Sequence, residues 1–348
     1  MISSILMVFF VAGFIAFALT PLAIKAAPKI GAVDVPMDDR RMHTKTMPRL
    51  GGAAIYIGSM AAIGLFLFDT IDERMAGIVI GATLILIIGI VDDIRGLSAR
   101  TKLAGQIVCA CILFANSVRI SFISNPCSEG LIEFPWIISL IVTVLWIVGI
   151  TNTINLIDGL DGLAAGVSFI ATAVIAYIAY IHVRYEICMA FMAIAGSCIG
   201  FLPWNFHPAK IFMGDGGALY LGFMIAAISV MSPMKSATVI ATILPILVLA
   251  LPILDTALAI LRRVKNGRPI MEADKGHLHH RIMNVGMGQK RTVLTLYCIS
   301  GIMGVAAILV SRDLFIDALL LIAIAVTLIY VFMKDRGFGK PFKERNIE

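Results

Sequence analysis

Eleven stretches of this chain, each about 16 to 24 residues long, carry almost no charge, and a helix of that length crosses a hydrocarbon core about 30 Å thick. Transmembrane barrel strands alternate in polarity over about ten residues. Runs such as Ala82-Thr83-Leu84-Ile85-Leu86-Ile87-Ile88 are instead apolar on every side, which excludes a barrel. The sequence therefore predicts an all-α, polytopic integral membrane protein with about 11 transmembrane helices, near 2–24, 51–68, 75–91, 103–120, 134–151, 163–181, 187–203, 217–232, 236–260, 293–311 and 314–333. Composition agrees, with 59% hydrophobic and only 14% charged residues among 348, where a soluble domain carries about a quarter charged.

An odd number of spans puts the termini on opposite faces, and basic residues choose between them. One set of loops, with the tail, carries 23 of the 28 Lys and Arg, while Arg74, Arg119, Arg184, Lys235 and Arg312 lie on the other side. The positive-inside rule places the N-terminus outside and the C-terminus in the cytoplasm. Residues 1–333 then form a single transmembrane domain with cytoplasmic loops at about 25–50, 92–102, 152–162, 204–216 and 261–292, and 334–348 form a basic cytoplasmic tail. The first apolar stretch lacks a basic n-region and a small-residue cleavage site, so it is read as a retained helix.

Five of the six cysteines lie inside apolar segments and no C-x-x-C occurs, which argues against a disulfide framework and against thiolate zinc. The acids are more informative. Asp92-Asp93 follows the span ending Ile90-Val91 and reads either as a hydrated loop cap or as a general base beside a metal ligand. Asn155-Leu156-Ile157-Asp158-Gly159-Leu160-Asp161-Gly162 sets an amide and two carboxylates at helical spacing in an otherwise apolar run, and lacks the alternating oxygen ligands of a calcium loop. Phe212-Met213-Gly214-Asp215-Gly216-Gly217 puts one acid among glycines that let backbone N–H groups approach a phosphate. The long inner loop contains His277-Leu278-His279-His280-Arg281, which reads as an anion-binding surface rather than a zinc site. Asp255 lies about seven residues, or 10 Å, from Arg262 along a helix. Lining a lipid groove and pairing with a basic residue are equally open for it.

These motifs, with Pro48-Arg49-Leu50-Gly51-Gly52, occur in order in loops on one face, and the chain resembles the polyprenyl-phosphate N-acetylhexosamine-1-phosphate transferases from about Lys25 to Arg291. Its His-x-His-His-Arg loop is similar to that of the branch using UDP-N-acetylglucosamine. The resemblance implies a membrane catalytic domain in which undecaprenyl phosphate attacks the β-phosphate of the UDP-sugar, releasing UMP and opening synthesis of a cell-envelope glycopolymer. It implies magnesium, with manganese able to substitute, at Asp215. Asp92 and Asp93 would act as base or assist the metal. Asn155, Asp158, Leu160, Asp161 and Phe212 would hold the nucleotide, and Lys45, Arg49, His277, His279, His280 and Arg281 the diphosphate and sugar. A lysine common downstream of the aspartate pair corresponds to Arg95, Arg100 or Lys102. The partners implied are the UDP-sugar, the polyprenyl phosphate, the bacterial cytoplasmic membrane and, by family habit, a second copy of the chain, with no nucleic acid. UDP-N-acetylmuramoyl-pentapeptide is the alternative donor. A membrane transporter is the alternative class, although no repeat is evident and almost every acid outside the short outer loops lies at an inner boundary, where transport sites lie near the midplane.

Overall fold

The computed structural model describes residues 1–34, 46–124, 131–231, 240–267, 276–284 and 286–334. Among them the chain forms α1 (Ile2–Ile30), α2 (Gly51–Leu67), α3 (Glu73–Arg95), α4 (Ala99–Ala115), α5 (Trp136–Ile157), α6 (Leu163–Ile181) and α7 (Tyr185–Asn205). It continues with α8 (Gly214–Val230), α9 (Ile240–Val248), α10 (Ala250–Lys265), α11 (Leu278–Asn284), α12 (Gln289–Val310) and α13 (Phe315–Lys334). Two small antiparallel pairs also occur, β1 (Val33–Asp34) with β2 (Met47–Pro48) and β3 (Phe122–Ser124) with β4 (Leu131–Glu133). The protein is an all-α polytopic membrane protein: α1, α2, α3, α5, α6, α7, α12 and α13 are long and apolar enough to cross a bilayer, and α8 is a shorter apolar helix.

Eight of the eleven expected spans fall on these eight long apolar helices, while those near 103–120, 217–232 and 236–260 fall on α4, which ends at Ala115, on α8 and on α9 with α10, and the last is not continuous. The segment expected over 236–260 divides into α9 and α10 at Leu249. Pro252 has no N–H to return to the carbonyl four residues earlier, and its ring crowds that carbonyl, so the helix breaks there.

Helix α8 is the centre of the molecule. Its residues from Gly216 to Ile228 are all buried, and it packs against α2, α3 and α5. Two glycine pairs allow this approach at its first turn. A Cβ on Gly52 of α2 would run into the Gly217 backbone, and one on Gly89 of α3 into the Gly216 backbone. Two polar groups at this helix are answered internally, as a lipid-embedded core favours: the Tyr220 hydroxyl meets Ser59 Oγ at 2.6 Å, and Trp146 Nε1 donates to the Ala226 carbonyl at 3.2 Å. By contrast α1 and α13 turn large apolar side chains outward, among them Phe10, Phe14, Ile316 and Leu319, as faces toward lipid do.

Candidate active site

The Pro48–Gly52 segment is laced to the chain that enters α8. Phe212 N–H donates to the Pro48 carbonyl at 2.8 Å, Gly51 N–H to the Phe212 carbonyl at 3.1 Å and Gly52 N–H to the Met213 carbonyl at 2.8 Å. Gly214 follows with φ of +74°, a left-handed conformation that turns the chain into the helix. Met213 precedes α8 without a side chain able to cap it. The missing cap comes from another helix: Asp93 accepts the N–H of Asp215 on Oδ1 and that of Gly216 on Oδ2, each at 3.0 Å. Its side chain is 1% exposed, and Arg49 Nη1 lies 4.0 Å from Oδ1. An anion facing two free N–H groups at a helix start also complements the helix dipole. Asp93 thus fixes where α8 begins, and with it where Asp215 sits.

Asp92 is used differently. Gly96 ends α3 with φ of +67°, and the turn lets Leu97 N–H donate to Asp92 Oδ1 at 2.6 Å. Ser98 then caps α4, accepting Thr101 N–H at 3.2 Å. The chain doubles back, and Lys102 Nζ lies 2.7 Å from Asp92 Oδ2 and 3.4 Å from Asp215 Oδ2. Two carboxylates from distant segments therefore share one ammonium, which offsets their mutual repulsion. Asp215 is the more open of the two, 27% exposed against 5% for Asp92. Of the three cations the sequence left open, Lys102 occupies the centre while Arg95 and Arg100 are exposed. The signal was present in the Gly96-Leu97-Ser98 turn and the Ser98 cap, which reverse the chain and return residue 102 to the level of residue 92.

The loop after α5 divides in the same way. Asn155 and Asp158 are half-buried, whereas Leu160 and Asp161 are buried. Burial, and then the Asp215 charge, push the Asp158 carboxyl up to about 7, against the pull of Arg49. Asp161 instead fastens the loop after α7, with Oδ2 2.9 Å from His207 Nδ1 and accepting Ala209 N–H at 3.1 Å. Asn205 secures the same corner, accepting Gly162 N–H at 3.1 Å and donating to the Ile211 carbonyl at 2.9 Å. Phe212 is half-buried, and its backbone is tied to Pro48 and Gly51.

The histidines form the start of α11, a seven-residue helix inside the loop expected at 261–292. Asp255 of α10 holds that start, with Oδ2 3.0 Å from His277 Nδ1 and Oδ1 accepting Leu278 N–H at 2.8 Å. His279 is buried, and its ring abuts Gly159: a Cβ there would lie 2.7 Å from Nε2. Burial and then the His280 charge hold the His279 imidazole down at about 3, so it is neutral at neutral pH. Its neighbour His277 stacks on it at 5.7 Å with a 7° interplanar angle. Arg281 Nε donates to the Gly276 carbonyl at 3.1 Å. The contact of His279 with Gly159 joins this helix to the Asp158 loop. Lys45 lies outside the described residues, as does the tail from 335.

The arrangement offers two clustered carboxylates with an ammonium between them, a guanidinium behind, and a histidine helix across a short loop. Among the described residues no group of three or more His, Cys, Asp and Glu is placed to hold a metal by itself. A pair of carboxylates nevertheless fits magnesium, which commonly takes one or two protein carboxylates and completes its shell with water and substrate phosphate.

The chain is similar to known proteins along most of its length. Residues 75–233, which include Asp92, Lys102, Asp158 and Asp215, match the profile of glycosyl transferase family 4. The chain is 40% identical over 331 residues to the probable undecaprenyl-phosphate N-acetylglucosaminyl 1-phosphate transferase of Bacillus subtilis (strain 168), covering 93% of this chain and 91% of that protein. It is 35% identical to the decaprenyl-phosphate N-acetylglucosaminephosphotransferase of Mycolicibacterium smegmatis (strain ATCC 700084 / mc(2)155), over 87% and 82% of the two chains. A phospho-N-acetylmuramoyl-pentapeptide-transferase from Shouchella clausii (strain KSM-K16) is 30% identical over 76% and 83%. With such likeness running along nearly the whole sequence, the chain belongs to glycosyl transferase family 4.

Proposed function

We propose that this protein transfers N-acetylglucosamine-1-phosphate from UDP-N-acetylglucosamine to undecaprenyl phosphate, releasing UMP, at the cytoplasmic face of a bacterial inner membrane. The observation that carries the reading is the meeting of Asp92, Asp215 and Lys102, drawn from three helices to one point. The 40% identity to the Bacillus subtilis protein, against 30% to the pentapeptide transferase, favours the unsubstituted sugar. The asymmetry of basic residues supports the cytoplasmic orientation.

In this reading an oxygen of the lipid phosphate forms a bond to the β-phosphorus of the donor, while the bond from that phosphorus to the bridging oxygen breaks and UMP leaves with the electron pair. Such a displacement depends on in-line placement and on neutralising the diphosphate. Lys102 and Arg49 supply fixed positive charge. Asp92, with one oxygen on the Leu97 N–H and the other on Lys102, receives the acceptor's proton when the phosphate arrives protonated. Asn155 and Asp158 border the space for the nucleoside. Asp215, with Asp92 beside it, would hold magnesium, which when bound adds charge on the diphosphate oxygens.

The test uses purified protein in detergent with undecaprenyl phosphate and a panel of UDP-sugars, reading UMP release and labelled lipid. UDP-N-acetylglucosamine should be turned over far better than UDP-N-acetylmuramoyl-pentapeptide. No lipid product from any donor, together with solute flux in sealed vesicles, would favour the transporter class.

A further inference from the structure

Asp255 lies in α10 with its side chain 7% exposed. A carboxylate so placed costs free energy unless it is paired and hydrogen-bonded. Both its oxygens are engaged, and both partners stand at the opening of α11, His277 through Nδ1 and Leu278 through its N–H. An ionised carboxylate only accepts, so the hydrogen in the ring contact belongs to Nδ1, and Nε2 is left as the atom the ring can offer elsewhere. Through the stacked rings of His277 and His279, and through His279 against Gly159, the same carboxylate sets how α11 meets the Asp158 loop.

We propose that Asp255 is a positioning residue for the transfer reaction: it fixes the Nδ1-protonated form of His277 and the start of α11, so that His277 Nε2 is presented toward the phosphate-bearing substrate. The proposal rests on the transfer reading above. Altering a carboxylate that orients a metal-bound histidine typically costs about 10- to 100-fold in affinity or activity, and a loss of that order is expected for this carboxylate-oriented ring.

Asp255→Asn separates positioning from folding. Its oxygen still accepts the Leu278 N–H, but its amide group faces Nδ1 as a donor and selects the opposite tautomer. In full-length purified protein assayed with UDP-N-acetylglucosamine and undecaprenyl phosphate, kcat/KM should fall about 10- to 100-fold with the melting temperature held. Asp255→Glu should recover part of the loss. The double variant Asp255→Asn/His277→Gln should be no slower than His277→Gln alone, because the two residues act as a unit. A second measurement needs no altered Asp255: in wild-type protein labelled with 15N-histidine, the resonances missing from His277→Gln should report a proton on Nδ1. Unchanged activity in Asp255→Asn, fully additive losses in the double variant, or a neutral His277 ring protonated at Nε2 would each overturn the proposal. If Asp255→Asn unfolds, the nitrogen spectrum decides. Wild-type protein that forms no lipid-linked product would instead sink the transfer reading, leaving the ring assignment to judge Asp255 by itself.

Discussion

At the aspartate centre, the places of Asp92, Asp93 and Asp215 follow from helices whose backbones touch at glycines, whereas the seven-residue α11 keeps its histidines in place through one carboxylate of α10 and a ring packed on Gly159. The first region is held by contacts that no side chain can relax. Helix α11 does bury Leu278 and Ile282 and packs against α12 and α13, but its histidine end is set by a few polar contacts, and its approach segment, 268–275, lies outside the described residues. In the first region small changes in volume should therefore be as damaging as changes in charge, and in the second the charge state should matter more.

The largest effect is expected from volume alone. Gly52→Val would push a side chain into the Gly217 backbone, and backbone cannot swing aside as a flexible side chain can. The variant should lose its folded, detergent-stable form, read by size-exclusion chromatography and thermal melting. A monodisperse, active Gly52→Val protein would break the picture of a glycine-packed centre.

Next comes charge without volume. Asp215→Asn keeps the shape but removes a ligand charge from the most open carboxylate of the pair, and turnover should fall by at least about two orders of magnitude, in line with the loss of a preorganised electrostatic contact. Magnesium titration of well-folded variant protein checks this. Near-normal magnesium-dependent rates would move the ligand role to Asp92.

How much of this could be read beforehand differs between the two regions. The spans were legible because a run without charges has few other uses, and the aspartates because acids at a membrane boundary are conspicuous. The break at Leu249 was less so, since Pro245 and Pro252 sit in a run that is apolar throughout. The seven residues of α11 offer one apolar pair at helical spacing, Leu278 and Ile282, too little to mark a helix by pattern. The start of that helix is held by Asp255, whose contact with His277 spans 22 positions of the sequence, and pattern does not reveal a pairing of that kind. Nor could adjacency separate Asp92 from Asp93. Successive helical positions point about 100° apart, so one carboxylate faces Lys102 and the other the start of α8.

A smaller effect should sharpen the contrast from the side of the histidine helix. His279 is held at about 3 in the folded protein, below the ordinary 6.5. Between those values the unfolded or undocked segment binds more protons than the docked one, so stability rises with pH through this window and is lost as pH falls below about 6.5. Hydrogen exchange of the α11 amides, corrected for intrinsic rates, should therefore show less protection at pH 5 than at pH 7.5, with the first turn of α8 changing less. Equal loss at both places would mean that the two regions open together.

At the aspartate centre two neighbours divide the labour, and paired substitution measures that division. Asp92→Asn and Asp93→Asn change the same atoms one residue apart. In Asp93→Asn an amide group confronts one of the two N–H groups that open α8, which costs on the order of 1–3 kcal/mol for an unanswered buried donor. Asp92→Asn retains an oxygen for Leu97 and relieves repulsion with Asp215. Although its amide group then faces Lys102, that partly exposed side chain keeps Asp215 as a partner and can swing aside, as the backbone N–H groups of α8 cannot. Melting temperature and kcat, measured side by side on purified protein, should separate the two: Asp93→Asn loses thermal stability while keeping the larger share of turnover, and Asp92→Asn melts like the parent with kcat lower by at least about two orders of magnitude. The reverse pattern, with Asp92→Asn unstable and Asp93→Asn stable but inactive, would contradict the assignment of chemistry to one carboxylate and architecture to the other.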